Sequence, residues 1–146
     1  MKTLLVLLIL LASCSTYHLQ VGEQHNAPVV ISTAGISNVN SVGGADVLIN
    51  FTNTSGRTIN YLTFTVEAYN RLGDPVECEI RRSSTGSVQV TGPYRHGRGT
   101  SIMNPAIWPT VFYNRTIRGI NIKEIVIEYD NREEEIISEK DIIYSK

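Results

Sequence analysis

The side chains of this protein that could take part in chemistry lie mainly between positions 81 and 118. This segment holds six arginines and no acidic residue, whereas the chain from position 119 onward has eight acidic and four basic residues. Guanidinium groups bind carboxylates and phosphates through paired hydrogen bonds, and aromatic side chains stack against them. The pattern predicts a basic loop that receives an anion or a partner protein. Its candidate residues are Tyr94, Arg95, His96, Arg98 and Trp108.

Two other interpretations of these charges stay open. In a sheet protein, the basic segment can pair across strands with the acidic C-terminal third, in which case the charges cancel and form no site. Alternatively, the protein is an enzyme, or an enzyme's accessory subunit, with a site in the loops around His96. His96 is the candidate base because the other two histidines, His18 and His25, lie in a polar N-terminal segment. The run Glu133–Glu135 is expected to be a solvated stretch that protects a sheet edge.

Motifs that would name a reaction are missing from the sequence. It contains no HExxH, no CxxC pair, no GxSxG and no Walker motif. Val76, Cys78 and Ile80 alternate with two glutamates, which predicts a strand over 76–80 with these three side chains facing inward. Cys78 is then a small buried hydrophobe rather than a nucleophile. We therefore expect a protein that is not an enzyme and that uses neither a cofactor nor a metal.

The length and composition predict a single globular domain. The chain has 146 residues, of which 42% are hydrophobic and 18% are charged, so disorder is not expected. The net charge of −1 argues against binding to nucleic acid.

The first fourteen residues have the pattern of a targeting signal. Lys2 precedes an unbroken apolar run from Leu4 to Leu11, which is too short to cross a bilayer but has the size of a signal-peptide core. The sequence Leu11-Ala12-Ser13-Cys14 follows, and it resembles the lipobox of bacterial lipoproteins. The resemblance implies cleavage after Ser13 and attachment of lipid to Cys14. Several acyl chains together make a stable membrane anchor.

The resemblance also implies a location and a division of the chain. Residues 1–13 are expected to be a signal peptide, and residues 14–27 a lipidated N-terminus and flexible tether. Ser15 follows the lipid-bearing cysteine where inner-membrane lipoproteins have Asp, which implies the outer membrane, with the protein facing the periplasm of the bacterial cell envelope.

From Pro28 to the C-terminus, the sequence predicts roughly seven to nine short strands, which is typical of a β-sandwich. The longest clean alternation runs from Thr58 to Tyr69, and its expected core residues are Leu62, Phe64 and Val66. A change of phase along the later 119–130 strand predicts a bulge or a short turn near Lys123. Further strands are predicted at 28–32, 46–53, 76–80, 86–91, 108–113 and 136–137, with a last short strand or tail at 141–144.

The same region resembles known domains. Val66-Glu67-Ala68-Tyr69-Asn70 stands where small Ig-like bacterial domains of the FxLYD type have their signature, with Val for Phe, Ala for Leu and Asn for Asp. The stretch NYLTFTVEAYNRLGDPVECEI is similar to a bacterial domain of unknown function, and this similarity covers about 36–138. The resemblance implies an Ig-like or fibronectin-III-like antiparallel sandwich over 28–146, and it implies no activity.

These features together predict a membrane-anchored, non-catalytic β-sandwich lipoprotein that binds or supports other components of the cell envelope. The expected partners are the membrane, through the lipid on Cys14, and an envelope protein or an anionic glycan.

Overall fold

A computed structural model describes residues 27–146 of the chain. The predicted signal peptide, Cys14 and the tether up to residue 26 lie outside the described residues. The described part contains eight strands and a short 3-10 turn, Glu139–Asp141. The strands are β1 (Val29–Val39), β2 (Gly44–Asn53), β3 (Ile59–Tyr69), β4 (Thr85–Tyr94), β5 (Ala106–Tyr113), β6 (Gly119–Tyr129), β7 (Glu134–Ser138) and β8 (Ile143–Tyr144).

The strands form two four-stranded sheets that pack as a sandwich. One sheet has the order β5-β2-β1-β8, and the other has the order β4-β3-β6-β7. Neighbouring strands are antiparallel, except for the short parallel pair of β1 with β8. The all-β sandwich predicted from the sequence is therefore confirmed, and the eight strands fall within the predicted range.

Strand β3 lies between β4 and β6, and its alternating sequence places every second side chain in the core. Leu62, Phe64 and Val66 have no exposed surface, as predicted. The ring of Phe64 contacts two strands of the opposite sheet. Its centroid is 5.9 Å from that of Phe51 on β2 and 6.2 Å from that of Trp108 on β5. These contacts hold the two sheets together.

Of the two alternatives predicted near Lys123, the structure shows the bulge, in β6. Thr65 pairs with Glu124, but the next residue of β3, Val66, pairs with Ile122, so Lys123 has no opposite residue. Its ammonium group lies 3.7 Å from Glu67 and 2.6 Å from Glu139. The bulge therefore turns a lysine towards acidic side chains of β3 and of the 3-10 turn.

The predicted strand over 76–80 is wrong. Only Pro75 forms a bridge to β3, and the chain then loops back through a tight turn in which the N–H of Arg82 donates to the carbonyl of Cys78. Arg82 has a φ of 54°, which lets the chain reverse. Cys78 is buried as predicted, with 1% of its surface exposed, but Ile80 is 67% exposed. The alternation of residue types here belongs to a loop that anchors one side chain in the core.

Strand β1 is longer than the predicted strand at 28–32. Two irregularities interrupt the alternation of its side chains, so the sequence pattern shows only its beginning. The pairing of β1 with β2 shifts between Ile31 and Thr33, and again between Ile36 and Asn38. Each shift moves the side chains to the other face, so the pattern does not continue although the hydrogen bonding does.

The chain crosses from one sheet to the other between β4 and β5. On the way it pairs with the end of β2, where Gly99 bridges Thr52 and the N–H of Thr100 donates to the carbonyl of Phe51. This crossing leaves β4 and β5 as neighbouring sheet edges along one side of the sandwich, a region that we call the β4–β5 seam. Strands β7 and β8 form the edges on the other side.

Replacing Phe64 by Ala should destabilise the protein by about 3–5 kcal/mol, because it empties a fully buried site between the two sheets. The matched control is Thr65→Ala, which changes the next residue on the half-buried outer face of β3 and should cost about 1 kcal/mol or less. Urea unfolding of both variants measures the difference. Equal losses for the two variants would contradict the assignment of Phe64 as the contact between the sheets.

Candidate functional site

The six arginines between positions 81 and 118 do not form one surface. Strand β4 pairs with β3 from Thr85, opposite Glu67, to Tyr94, opposite Ile59, so the residues before and after β4 lie at opposite ends of the sandwich. Arg81 and Arg82 precede β4, whereas Arg95 and Arg98 follow it. The remaining two, Arg115 and Arg118, lie between β5 and β6, at the same end as Arg81 and Arg82. The predicted basic loop is therefore limited to the segment after β4.

Direct pairing with the C-terminal acids does not neutralise these arginines in the part of the chain that the structure describes. Ion pairs within 4.0 Å there use Arg57 and Lys123 instead. The guanidinium group of Arg115 donates to the carbonyl of Ser41 at 2.6 Å, and that of Arg118 donates to the carbonyl of Ile117 at 2.8 Å. These two arginines are thus held by backbone oxygens, which leaves their positive charge uncompensated by a carboxylate.

Asn53, the last residue of β2, positions the loop that follows β4. It is completely buried, and its side-chain amide donates to the carbonyls of Tyr94 and Arg57, both at 2.8 Å. Its backbone N–H donates to the carbonyl of Arg98 at 2.8 Å, and its carbonyl accepts from the N–H of Gly97 at 2.7 Å. Gly97 has a φ of +73°, a conformation that suits glycine. One asparagine therefore fixes both ends of the 94–98 loop.

Within this loop, Arg95, His96 and Arg98 are exposed and lie together at one end of the sandwich. The Nδ1 atom of His96 lies 2.8 Å from the carbonyl oxygen of Ser55, in the turn between β2 and β3. Among the described residues, the ring of His96 forms no hydrogen bond with a hydroxyl, thiol or carboxylate. The position of His96 thus fits a residue that packs on a turn better than a base that activates a nucleophile.

The two aromatic candidates, Tyr94 and Trp108, share a cleft that the charged candidates do not line. The ring of Tyr94 packs edge-on against Phe51, with centroids 5.0 Å apart, and burial raises the pKa of its hydroxyl. Both aromatic residues line a shallow cleft of about 280 Å³ that contains no arginine. The five candidate residues predicted as one site therefore divide into a basic loop and an aromatic cleft.

Sequence reasoning missed a larger cleft in the β4–β5 seam. Its volume is about 500 Å³, and two hydrogen bonds cross the seam beside it. The indole Nε1 of Trp108 donates to the carbonyl of Gln89 at 2.9 Å, and the guanidinium group of Arg81 donates to the carbonyl of Val111. The residues that line the cleft are Cys78, Ile80, Arg81, Ser87, Val88, Gln89, Trp108, Pro109, Thr110, Val111 and Tyr113.

The thiol of Cys78 lies against the inner wall of this cleft. Burial opposes its ionisation, but the backbone N–H groups of Arg81, Tyr113 and Ile80 and the guanidinium group of Arg81 outweigh that effect and lower the pKa of the thiol to about 7. The N–H of Tyr113 donates to the sulfur at an N···S distance of 3.4 Å. The loop after Cys78 directs the donors of Ile80 and Arg81 at the sulfur, and β5 supplies Tyr113, so the alternating sequence pattern could not reveal them.

The glutamates predicted as a solvated run are partly engaged. The guanidinium carbon of Arg57 lies 3.8 Å from the centre of the Tyr129 ring, and its Nη2 lies 2.6 Å from Glu133. The Tyr129 hydroxyl donates to Glu135 at 2.6 Å. Burial first, and then this carboxylate, raise the pKa of Tyr129 to about 12. This cluster joins one guanidinium to two carboxylates, and it lies at the β2–β3 turn, β6 and β7, away from the β4–β5 seam.

The described fold and site define a β-sandwich with an open cleft between two sheet edges. Over residues 27–146, no helix has the length and apolarity needed to cross a membrane. The same residues contain no group of three or more metal-binding side chains placed to hold an ion. Comparisons of the chain with protein-family models, with curated proteins and with solved structures found no match.

Cys78 should ionise near pH 7 in the folded protein, because the donors of the 78–82 loop and Tyr113 favour the thiolate. In a Cys14→Ser chain, where Cys78 is the remaining cysteine, the rate of alkylation by iodoacetamide should follow a titration curve with a midpoint of about 7. Burial slows the reaction, so the midpoint rather than the absolute rate is compared.

Two comparisons control this measurement. The midpoint should rise in Arg81→Gln, which removes the guanidinium donor, and it should return to about 8.5 in denaturant. A midpoint near 8.5 in the folded protein would show that the loop does not stabilise the thiolate.

Proposed function

We propose that this protein is a lipid-anchored, non-catalytic β-sandwich of the bacterial cell envelope that binds or supports other envelope components. The observation that carries the binding role is the cleft in the β4–β5 seam, which places Trp108 and Arg81 beside an open sheet edge. The proposed anchor rests on the resemblance of Leu11-Ala12-Ser13-Cys14 to a lipobox. The Ig-like character of the domain rests on the sequence resemblance together with the two-sheet architecture.

The point at which the chain enters the sandwich determines which end would face the membrane. The hydroxyl of Thr54 donates to the carbonyl of Ala27, and the backbone N–H groups of Thr54 and Ser55 donate to the carbonyl of Pro28 at 2.9 and 3.0 Å. His96 contacts the same turn through the carbonyl of Ser55. Anchoring at Cys14 would therefore place the basic loop of Arg95, His96 and Arg98 on the membrane-proximal end, within reach of a tether that spans at most about 45 Å.

This position suits the basic loop to an anionic component close to the anchor, such as a glycan, because its arginines are exposed and form no ion pair with a described carboxylate. The seam suits a partner protein, since it combines apolar lining with open backbone groups. The alternative function, an enzyme or an accessory subunit with a site around His96, has weaker support. A general base needs a nucleophile or a water held within hydrogen-bond reach, and the described contact of His96 is with a backbone carbonyl.

Replacing Cys14 by Ser should release the protein from the membrane, because the thiol is the proposed attachment point for lipid. Fractionation of cells that express the variant should move most of the protein to the soluble fraction, or leave it as an unprocessed precursor. Cys78→Ser is the matched control, and it should stay with the membrane. Mass spectrometry of the purified chain would add the direct readout, a lipid on residue 14. An unmodified Cys14 at a cleaved N-terminus would contradict the anchor.

Replacing Arg95 and Arg98 together by Ala should weaken the binding of the protein to anionic material from cell envelopes by about tenfold or more, because two charge-assisted contacts are lost. The matched control is the pair Arg115→Ala and Arg118→Ala, which removes the same charge from the opposite end of the sandwich. Co-sedimentation with isolated envelope material measures both. Unchanged binding of the Arg95 and Arg98 variant would remove the basic loop from the proposed function.

A further inference from the structure

The two sheets of the sandwich have four outer edges, and three of them are protected against pairing with another strand. β5 carries Pro109 and a residue with a φ of 49°, Thr110, which together interrupt its edge. β7 has five residues and includes Glu134 and Glu135, and β8 has two residues. Proline, charge and short length are the devices by which proteins prevent their edges from pairing.

Strand β4 has none of these protections over most of its length. It runs for ten residues, TGSVQVTGPY, without a charged side chain, and its proline is Pro93, next to the end. The middle of the strand alternates between buried residues such as Val88 and exposed ones such as Gln89. A long, uncharged and regular edge of this kind is a template for one more strand.

The hydrogen bonds of β4 show which of its backbone groups face outward. The N–H of Ala68 on β3 donates to the carbonyl of Ser84, on the side of β3 where β4 lies. Because the backbone groups of a strand point to alternate sides, the other even-numbered residues of β3, Leu62, Phe64 and Val66, also bond to β4. Their partners are the even-numbered residues of β4. The N–H and C=O groups of Ser87, Gln89 and Thr91 therefore point away from β3, in agreement with the bond from Trp108 to the carbonyl of Gln89.

These outward groups open onto the cleft of the β4–β5 seam. Among the described residues, the N–H groups of Ser87, Gln89 and Thr91 form no hydrogen bond outside the β3–β4 pairing. The cleft beside them is lined by the guanidinium group of Arg81 and by no acidic residue. Asp46 bonds to the backbone N–H of Thr110 at 2.8 Å but does not line the cleft. The seam thus offers a row of backbone donors with a positive charge near one end.

We propose that the β4–β5 seam binds an extended peptide segment of a partner protein, which adds as a strand to the edge of β4 and places a carboxylate against Arg81. This inference rests on the binding role proposed above and is independent of the lipid anchor. Backbone hydrogen bonds to Ser87, Gln89 and Thr91 hold the peptide. Every second side chain of the peptide enters the cleft between Val88 and Trp108, where it is selected by fit.

A peptide that contains an acidic residue fits this edge better than a second copy of the chain does. Two copies that pair through β4 would each bring an uncharged strand, and neither would supply a carboxylate for the Arg81 of the other. A glycan would lack the regularly spaced donors and acceptors that match three alternate residues of a strand.

The test begins with a library of displayed peptides of about nine residues, the length of a strand that would cover β4. The probe is the strongest binder, synthesised with a fluorescent label and titrated against the protein in the form that cells produce. Peptide anisotropy gives the affinity. Trp108 is the sole tryptophan of the chain, so a change of its fluorescence on binding reports that the seam is occupied.

Gln89→Pro should weaken binding by about tenfold or more, because it removes an outward N–H that the fold does not use. Gln89→Ala keeps that N–H and is the reference for Gln89→Pro, because the two variants lose the same side chain and differ in the backbone donor. Arg81→Gln should weaken the binding of an acidic peptide, but not of its Glu→Gln counterpart. A circular dichroism melt checks that each variant is folded.

A second measurement does not depend on how the protein tolerates proline. The same peptide with N-methyl groups on alternate residues has lost its backbone donors but kept its side chains, and it should no longer bind. The proposal is overturned if the library yields no binder, or if N-methylation of the peptide and the Gln89→Pro substitution both leave the affinity unchanged. It is also overturned if the protein self-associates and Gln89→Pro abolishes that self-association, because the edge would then bind a second copy of the chain. Each of these results leaves the fractionation test of the anchor unaffected.

Discussion

The contact of Phe64 with two strands of the opposite sheet links the packing of the core to the geometry of the β4–β5 seam. Strand β3 is central in its sheet, and Phe64 projects from it against Phe51 on β2 and Trp108 on β5. Aromatic pairs at these separations contribute beyond the area that they bury. The indole ring of Trp108 packs against Phe64, and its Nε1–H donates to the carbonyl of Gln89. The contact with Phe64 thus helps to position the hydrogen bond that crosses the seam. Core packing and the geometry of the seam are therefore consequences of one arrangement.

The seam is open because of how the chain passes between the sheets. Strand β4 ends one sheet and β5 ends the other, and the connection between them pairs with the end of β2 instead of covering the gap. Two hydrogen bonds cross the seam, one from Trp108 and one from Arg81, and the cleft lies beside them. A sandwich necessarily leaves such edges, and this one protects β5, β7 and β8 but not β4.

The sequence predicted the fold well where the side chains alternate without interruption. β3 and the bulge at Lys123 follow from period-two patterning, because burial on one face forces that pattern on a strand. The true length of β1 could not be predicted, since two register shifts erase the alternation while the pairing continues. The 76–80 segment shows the opposite error. Its alternation is regular, yet a tight turn closed by Arg82 makes it a loop.

The candidate site could be predicted less well, because closeness in sequence is not closeness in space along a strand. The arginines on either side of β4 are separated by the length of the strand, so a cluster in the sequence became two groups at opposite ends. The seam could not be foreseen either, since it brings together Arg81 from a loop, Gln89 from β4 and Trp108 from β5. Only Trp108 belonged to the predicted set.

The two proposed contact regions differ in their relation to the point where the chain enters the sandwich. The basic loop packs on the turn that also holds Ala27 and Pro28, so it lies at the end of the sandwich where the chain enters. The edge of β4 starts at that loop and runs to the opposite end, where Arg81 lies. A peptide strand on this edge would extend from the end where the chain enters the sandwich to the opposite end, with its carboxylate at that opposite end. An anionic surface at the near end and a peptide along β4 could thus be bound together, because they use different residues and different directions of approach.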